Sequence, residues 1–109
     1  MTAWHDVCAV GEIEPGRGVC ALVGDHQIAL FRVSSCGEVL AVSNHDPFSG
    51  ASVISRGIVG TQDDVPIVAS PVYKHRFDLR SGAALEDGGV ALSVYPVRVT
   101  GDRVEVAVP

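Results

Sequence analysis

Chemistry in a small protein starts with its histidines, cysteines and acids, and this chain has four His, three Cys and 13 Asp or Glu in 109 residues. Cys8, Cys20 and Cys36 show no C-x-x-C pair and no zinc-ribbon spacing, so neither a redox dithiol nor a structural zinc site is written in them. Cys8 in "DVCAV" and Cys20 in "GVCALV" stand in apolar stretches and are expected to be buried, inert thiols. Cys36 in "SSCGE" is expected at a turn. His5 and His26 lie far apart and form no metal-ligand spacing. His45 adjoins Asp46, but neighbouring side chains on an extended segment point to opposite sides, which argues against a base and its orienter. Ser, His and Asp are all present without a G-x-S-x-G elbow. The Gly-rich "GEIEPGRG" fits neither phosphate-cradling pattern and reads as a connection between strands.

Two loops hold what remains. "AVSNHDPFSGASVISRG" covers 41–57 and "VASPVYKHRFDLRSG" covers 68–82. Each leaves an apolar strand, turns at a proline (Pro47, Pro71), places an aromatic residue after it (Phe48, Tyr73) and runs on to a glycine. Lys74, His75, Arg76 and Arg80 make the second loop a basic patch on an acidic body.

The elements that must position these loops are strands. Apolar residues recur at period two rather than at helical spacing along the chain, and the β-rich run "QIALFRV" followed by "EVLAVS" reads as a hairpin over 26–43. "GVCALV" adds a strand upstream through the turn at Gly24 and Asp25. In "YPVRVTGDRVEVAVP", Val97 and Val99 alternate with Arg98 and Thr100. Gly101 and Asp102 turn the chain, and Val104, Val106 and Val108 return it. Pro96 belongs at a strand start or an edge. "FSGASVIS" offers one helical turn at most. Eight to ten short strands among twelve glycines and six prolines predict an all-β chain, an antiparallel sandwich or barrel.

Bulk composition sets the outer limits. The chain is 47% hydrophobic and 19% charged, which fits one folded domain over 1–109 with no linker or repeat. A net charge of −5 disfavours nucleic-acid binding, which needs a basic face to displace counterions. No apolar run is long enough for export or membrane insertion, and with an odd cysteine count this leads to the expectation of a cytoplasmic protein with reduced thiols.

The two loops resemble the ligand loops of Rieske-type iron–sulfur domains. There a Cys-x-His and a Cys-x-x-His hold a two-iron cluster. Laid on this chain, the ligand positions fall at Asn44 and Asp46 in the first loop and at Ser70 and Tyr73 in the second, so all four are substituted. A serine hydroxyl, an amide and a phenol are poor replacements for thiolate and imidazole, and one carboxylate cannot hold a cluster. The resemblance thus implies a Rieske-like β-sandwich or barrel with a small loop-rich subdomain at about 44–80, and no cofactor in this chain. "DPFSGA", "SRGIVG", "ASPVYKHRFDL" and "YPVRV" narrow the resemblance to the small subunits of assimilatory NAD(P)H-dependent nitrite reductases. Such a subunit would be inactive alone. It would assist a large subunit expected to carry FAD, an iron–sulfur cluster and sirohaem in reducing nitrite to ammonium, and would be open to self-association when isolated. The alternatives are a Rieske ferredoxin-like electron carrier and a binding component of another oxidoreductase. Asp46 is expected to accept hydrogen bonds from backbone N–H groups, Ser70 or Tyr73. Phe48, Arg56, Val72, Tyr73, Lys74, His75 and Arg76 are expected to form the docking tip.

Overall fold

The computed structural model describes residues 3–33 and 38–108. The expected turn at Cys36 lies outside the described residues.

Ten strands follow one another: β1 Ala3–Ala9, β2 Gly18–Val23, β3 His26–Arg32, β4 Val39–Ser43, β5 Ile58–Gln62, β6 Val65–Ala69, β7 Arg76–Asp78, β8 Val94–Tyr95, β9 Val97–Thr100 and β10 Arg103–Val108. Single 3-10 turns at Val10–Glu12 and Ile54–Arg56 complete the described elements. The strands pair antiparallel in three sheets, ordered β1-β10-β9, β2-β3-β4-β8 and β5-β6-β7. The β2–β3, β3–β4 and β9–β10 pairings are those the period-two pattern and the Gly-Asp turns predict.

β3 is the middle layer. Ile28 and Leu30 face one core with Ile13, Val104 and Val106, while Ala29 and Phe31 face a second core with Val42, Ile54, Val68, Phe77 and Leu79. All four β3 residues are fully buried, which is why "IALF" is apolar at every position rather than at every second one. The first core closes the barrel-like body and the second roots the loop-bearing sheet β5-β6-β7. Pro96 sits between β8 and β9, where the chain passes from one sheet to the next, and its carbonyl accepts the Ala107 N–H at 3.0 Å. The C-terminal hairpin buries its return strand more fully than its outgoing one: Val104, Val106 and Val108 are buried, whereas Val99 is exposed on the outer strand β9.

Close backbone approaches fix the loop-bearing sheet to the body. A Cβ on Gly18 would lie 2.3 Å from the Ser55 carbonyl oxygen, so β2 packs directly on the 3-10 turn at Ile54–Arg56. The β5–β6 hairpin turns through two residues with positive φ, Asp63 at 52° and Asp64 at 66°, a conformation that favours Asn-Gly. Asp63→Asn with Asp64→Gly is therefore expected to raise stability by about 1 kcal/mol, read as a higher urea midpoint with unchanged slope. An unchanged or lower midpoint would show that the two aspartates are not strained there.

Candidate functional site: two locked loops

Among the described residues, three polar side chains are buried: Asn44, Asp46 and Ser70. They are three of the four positions marked from sequence. Asn44 follows β4 directly and bonds through its backbone N–H and C=O and through both polar atoms of its side chain. Its N–H donates to the Gln27 carbonyl (2.9 Å) and its carbonyl accepts from Ile54 N–H (3.1 Å). Its Oδ1 accepts from Ser55 N–H (2.7 Å) and its Nδ2 donates to Cys20 Sγ (3.4 Å). The side chain thus staples the first loop to the 3-10 turn and to β2.

Asp46 is fully buried and organises both loops. Within its own loop, Oδ1 accepts the Phe48 N–H at 2.9 Å, and the backbone exchanges bonds with Ala51 and Gly50 at 2.8 Å each. Gly50 takes φ 77°, which an L side chain rarely adopts, so the tight return after Phe48 depends on it. Across the gap, Ser70 Oγ donates to Asp46 Oδ2 at 2.5 Å, a short charge-assisted bond. Ser70 Oγ in turn accepts the Val72 N–H at 3.3 Å, and Ser70 N–H donates to the His75 carbonyl at 2.9 Å, closing the second loop on itself. Burial alone would push the Asp46 carboxyl up, but the hydrogen bonds from Ser70, Phe48 and Ser49 outweigh it and hold it below the ordinary value. The expected acceptor role of Asp46 holds, with Ser70 and not Tyr73 as the partner across the gap.

Adjacent His45 is exposed and takes the opposite side, as alternation demands. Tyr73 is 64% exposed and stands off from the other three positions, its ring edge-on to His75 at 6.4 Å. His75 stacks flat on Phe48 at 3.8 Å, and Phe48 leans on buried Phe77 at 5.9 Å. Rings therefore run from the second core out to the tip, with Phe48 half-buried and Val72, Tyr73 and Lys74 exposed at the end. Lys74 takes φ 62° at the bend. Exposed Ile58 joins this surface: it pairs with Ala69, next to Ser70, and the preceding Gly57 packs on the Ala69 carbonyl. Sequence reasoning missed Ile58, although an apolar residue following "SRG" at a strand start was the available signal.

One expectation, on Cys20, needs correction. Arg76, expected at the docking tip, is ion-paired within the chain. Its Nε donates to Glu86 Oε1 at 2.7 Å and its Nη1 to Gln62 Oε1 at 2.6 Å. Arg80, beyond the tip, is held by Glu38 in a two-pronged pair. Cys20 is not buried. It sits on the outer strand β2, where nothing pairs on the free side, and is exposed. Cys8 is buried, and burial, with Glu12 adding to it, pushes its thiol up. In the native protein, iodoacetamide should therefore modify Cys20 and spare Cys8 until denaturant is added, as read by peptide mass mapping. Equal rates at the two sites would contradict this placement.

The donor set does not fit a two-iron cluster. Such a centre needs two thiolates and two imidazole nitrogens. Here an amide bonded through both its oxygen and its nitrogen, a carboxylate and a hydroxyl already bonded to each other, and an outward phenol stand in their places. Among the described residues no group of three or more His, Cys, Asp or Glu is placed to hold a metal ion.

Comparison with known proteins places this arrangement. A family model described as a Rieske-like [2Fe-2S] domain matches residues 3–107. The nitrite reductase (NADH) small subunit of Escherichia coli K12 is 42% identical over 106 residues, covering 97% of this chain and 98% of that one. The crystal structure of a Mycobacterium tuberculosis protein described as an NADH-dependent nitrite reductase small subunit superposes with a TM-score of 0.94 at 47% identity. That match covers 100% of this chain and 97% of the other. A nitrite reductase [NAD(P)H] large subunit from Klebsiella oxytoca also contains a stretch 40% identical over 103 residues, which is 94% of this chain and 11% of that protein. With a Rieske frame, substituted ligand positions and this identity along nearly its whole length, the chain belongs to the Rieske-like [2Fe-2S] domain family, within its group of nitrite reductase small subunits.

Proposed function

We propose that the chain is the non-catalytic small subunit of an NAD(P)H-dependent nitrite reductase, and that it acts by seating its loop tip on the large subunit. The observation that carries this reading is the pairing of a locked interior with an unsatisfied surface. Asp46 and Ser70 cross-link the two loops where a cluster would otherwise do so, so the tip keeps its shape without metal. Outside that lock, the tip exposes Ile58, Val72 and Tyr73. Five of the chain's eight bases are ion-paired: Arg17, Arg76, Arg80, Arg98 and Arg103. The two exposed bases outside any ion pair among the described residues, Arg56 and Lys74, stand beside Ile58 and Tyr73 in the chain. An apolar centre with a cationic rim suits an acidic, partly apolar partner face.

The large subunit is the natural owner of that face. In the Klebsiella oxytoca protein a domain like this one is part of the large-subunit polypeptide itself, which supports a working position against that body. In this reading the whole of 1–109 moves as one unit with 44–80 as its docking end. Arg56, Ile58, Val72, Tyr73 and Lys74 make the contact, and Phe48 and His75 support them from behind. The partner supplies flavin, iron–sulfur cluster and sirohaem, and the complex works in the cytoplasm in nitrate assimilation. The test is reconstitution. The large subunit, prepared with and without this chain, is assayed for NADH- or NADPH-dependent nitrite consumption and for co-purification. A stable complex with several-fold higher turnover is expected. A large subunit that is fully active alone and ignores this chain would overturn the proposal.

A further inference from the structure

A second feature along the same side of the molecule points to how the partner extends beyond the tip. Arg32 closes β3 and is half-buried, yet no carboxylate lies within ion-pair distance among the described residues. The neighbouring residues 34–37 read Ser-Ser-Cys-Gly and carry no acid. Its Nη1 reaches the Ile13 carbonyl at 3.4 Å, a long bond, and its Nε is buried with no hydrogen-bond partner among the described residues. Arg56 and Lys74 lie in water and need no counter-charge, but a half-buried guanidinium gives up hydration without recovering it.

The side chain borders a groove of about 330 Å³. Pro15, Gly16 and Arg32 line one side of it, and Val59, Gly60 and Thr61 line the other. Three consecutive residues of β5 contribute, as the edge of a strand does and one face of a strand does not. β5 is the outer strand of its sheet and among the described residues pairs only with β6, so its other edge offers N–H and C=O groups that no described strand takes. Gly60 carries no side chain and nothing lies within 4 Å of where its Cβ would be, so the face of β5 beside that edge is also open. β5 also begins at exposed Ile58, which makes the groove continuous with the tip surface.

We propose that this groove receives an extended, acidic segment of the large subunit, which lies along the free edge of β5 and pairs one carboxylate with the Arg32 guanidinium. The edge selects an extended backbone, and the uncompensated guanidinium selects a carboxylate, whose two oxygens match its fork. The proposal rests on the large subunit being the partner, and the experiment separates the two ideas.

Binding of the large subunit is measured for the parent, Arg32→Lys and Arg32→Gln, and amide hydrogen exchange over 58–62 is followed by mass spectrometry in the parent chain, free and in the complex. Arg32→Lys keeps stem and charge but loses the fork, so about tenfold weaker binding is expected, with Arg32→Gln weaker still. The β5 amides should exchange markedly more slowly in the complex. A complex that forms with parental affinity in Arg32→Gln, or with β5 exchange unchanged, overturns the groove proposal and leaves the tip reading intact. Failure of any complex to form overturns both. Should Arg32→Gln prove poorly folded, the exchange measurement on the parent chain decides alone.

Discussion

Asp46→Ala is expected to cost about 3 kcal/mol of folding stability, the largest effect of any single polar substitution in the loops. The substitution removes the acceptor for the buried Ser70 hydroxyl and for the N–H of half-buried Phe48. A buried group left without a partner costs about 1–3 kcal/mol, and here one penalty falls on each loop, the fuller one on Ser70. Ser70→Ala removes one donor and leaves Asp46 bonded to Phe48 and Ser49, so a loss of about 1 kcal/mol is expected. Asp46→Asn keeps the shape and one oxygen acceptor and should fall between the two. The pH dependence carries a sign. The folded-state carboxyl lies below its ordinary value of 3.8, so its stabilising contribution is complete above that value and is lost as pH falls through the folded pKa. The gap between the parent and Asp46→Asn should therefore be widest near neutral pH and should narrow below about pH 4. Glu38, Glu86 and Glu105 are also lowered by their bonds to Arg80, Arg76 and Arg98, and they unload in the same direction. Those groups are common to both proteins, so the difference isolates Asp46. Urea titrations at pH 7 and pH 3 read it directly, and an Asp46→Ala protein as stable as its parent would falsify the lock.

What could be read from the sequence divides along physical lines. Strand periodicity and Gly-Asp turns are local, and they placed the β2–β3, β3–β4 and β9–β10 pairings. The seats at Asn44, Asp46 and Ser70 were legible through resemblance and chemistry together, because a buried carboxylate in a loop must find donors. Quantities that depend on what covers a strand were not legible. Cys20 and Ala29 are cross-strand partners, but only Ala29 is covered on both sides; β2 is an outer strand and leaves Cys20 exposed. Arg76 looked like part of a basic cluster because Lys74 and His75 adjoin it, yet its counter-ion Glu86 stands ten residues on, across a turn whose path the sequence does not give. Tyr73 occupies a ligand position in register but turns outward. Phe48 already covers His75, and the loop bends at Lys74 with a positive φ that no composition rule assigns to lysine.

The other large effect is expected at the tip. Arg56→Glu with Lys74→Glu changes the local charge by four units on a surface where, among the described residues, no acid is paired to either base. At low salt this should weaken association with the large subunit by about 100-fold or more, mostly through slower encounter, since opposed like charges both fail to steer and repel on contact. Half-molar salt should shrink the loss, because the Debye length falls well below the width of the patch. Stability should stay within about 0.5 kcal/mol of the parent, because both side chains are exposed and unpaired. Lys74 is already a non-glycine residue at positive φ, so glutamate adds no new class of backbone strain there. Arg103→Glu is the matched control: it also reverses a cationic charge on an exposed side chain, but one that belongs to the ion pair with Asp6 and lies on the sheet β1-β10-β9, which carries neither the tip nor the groove. If net charge alone governed association, the control would weaken binding by half as many logarithmic units as the double variant. If the tip is the docking surface, the control stays near the parent and Tyr73→Ala, which removes an exposed aromatic anchor without changing charge, weakens binding about tenfold at any salt concentration. Parental affinity in the double charge reversal, with the complex otherwise intact, would move the interface elsewhere and leave Arg56 and Lys74 as ordinary solvated bases.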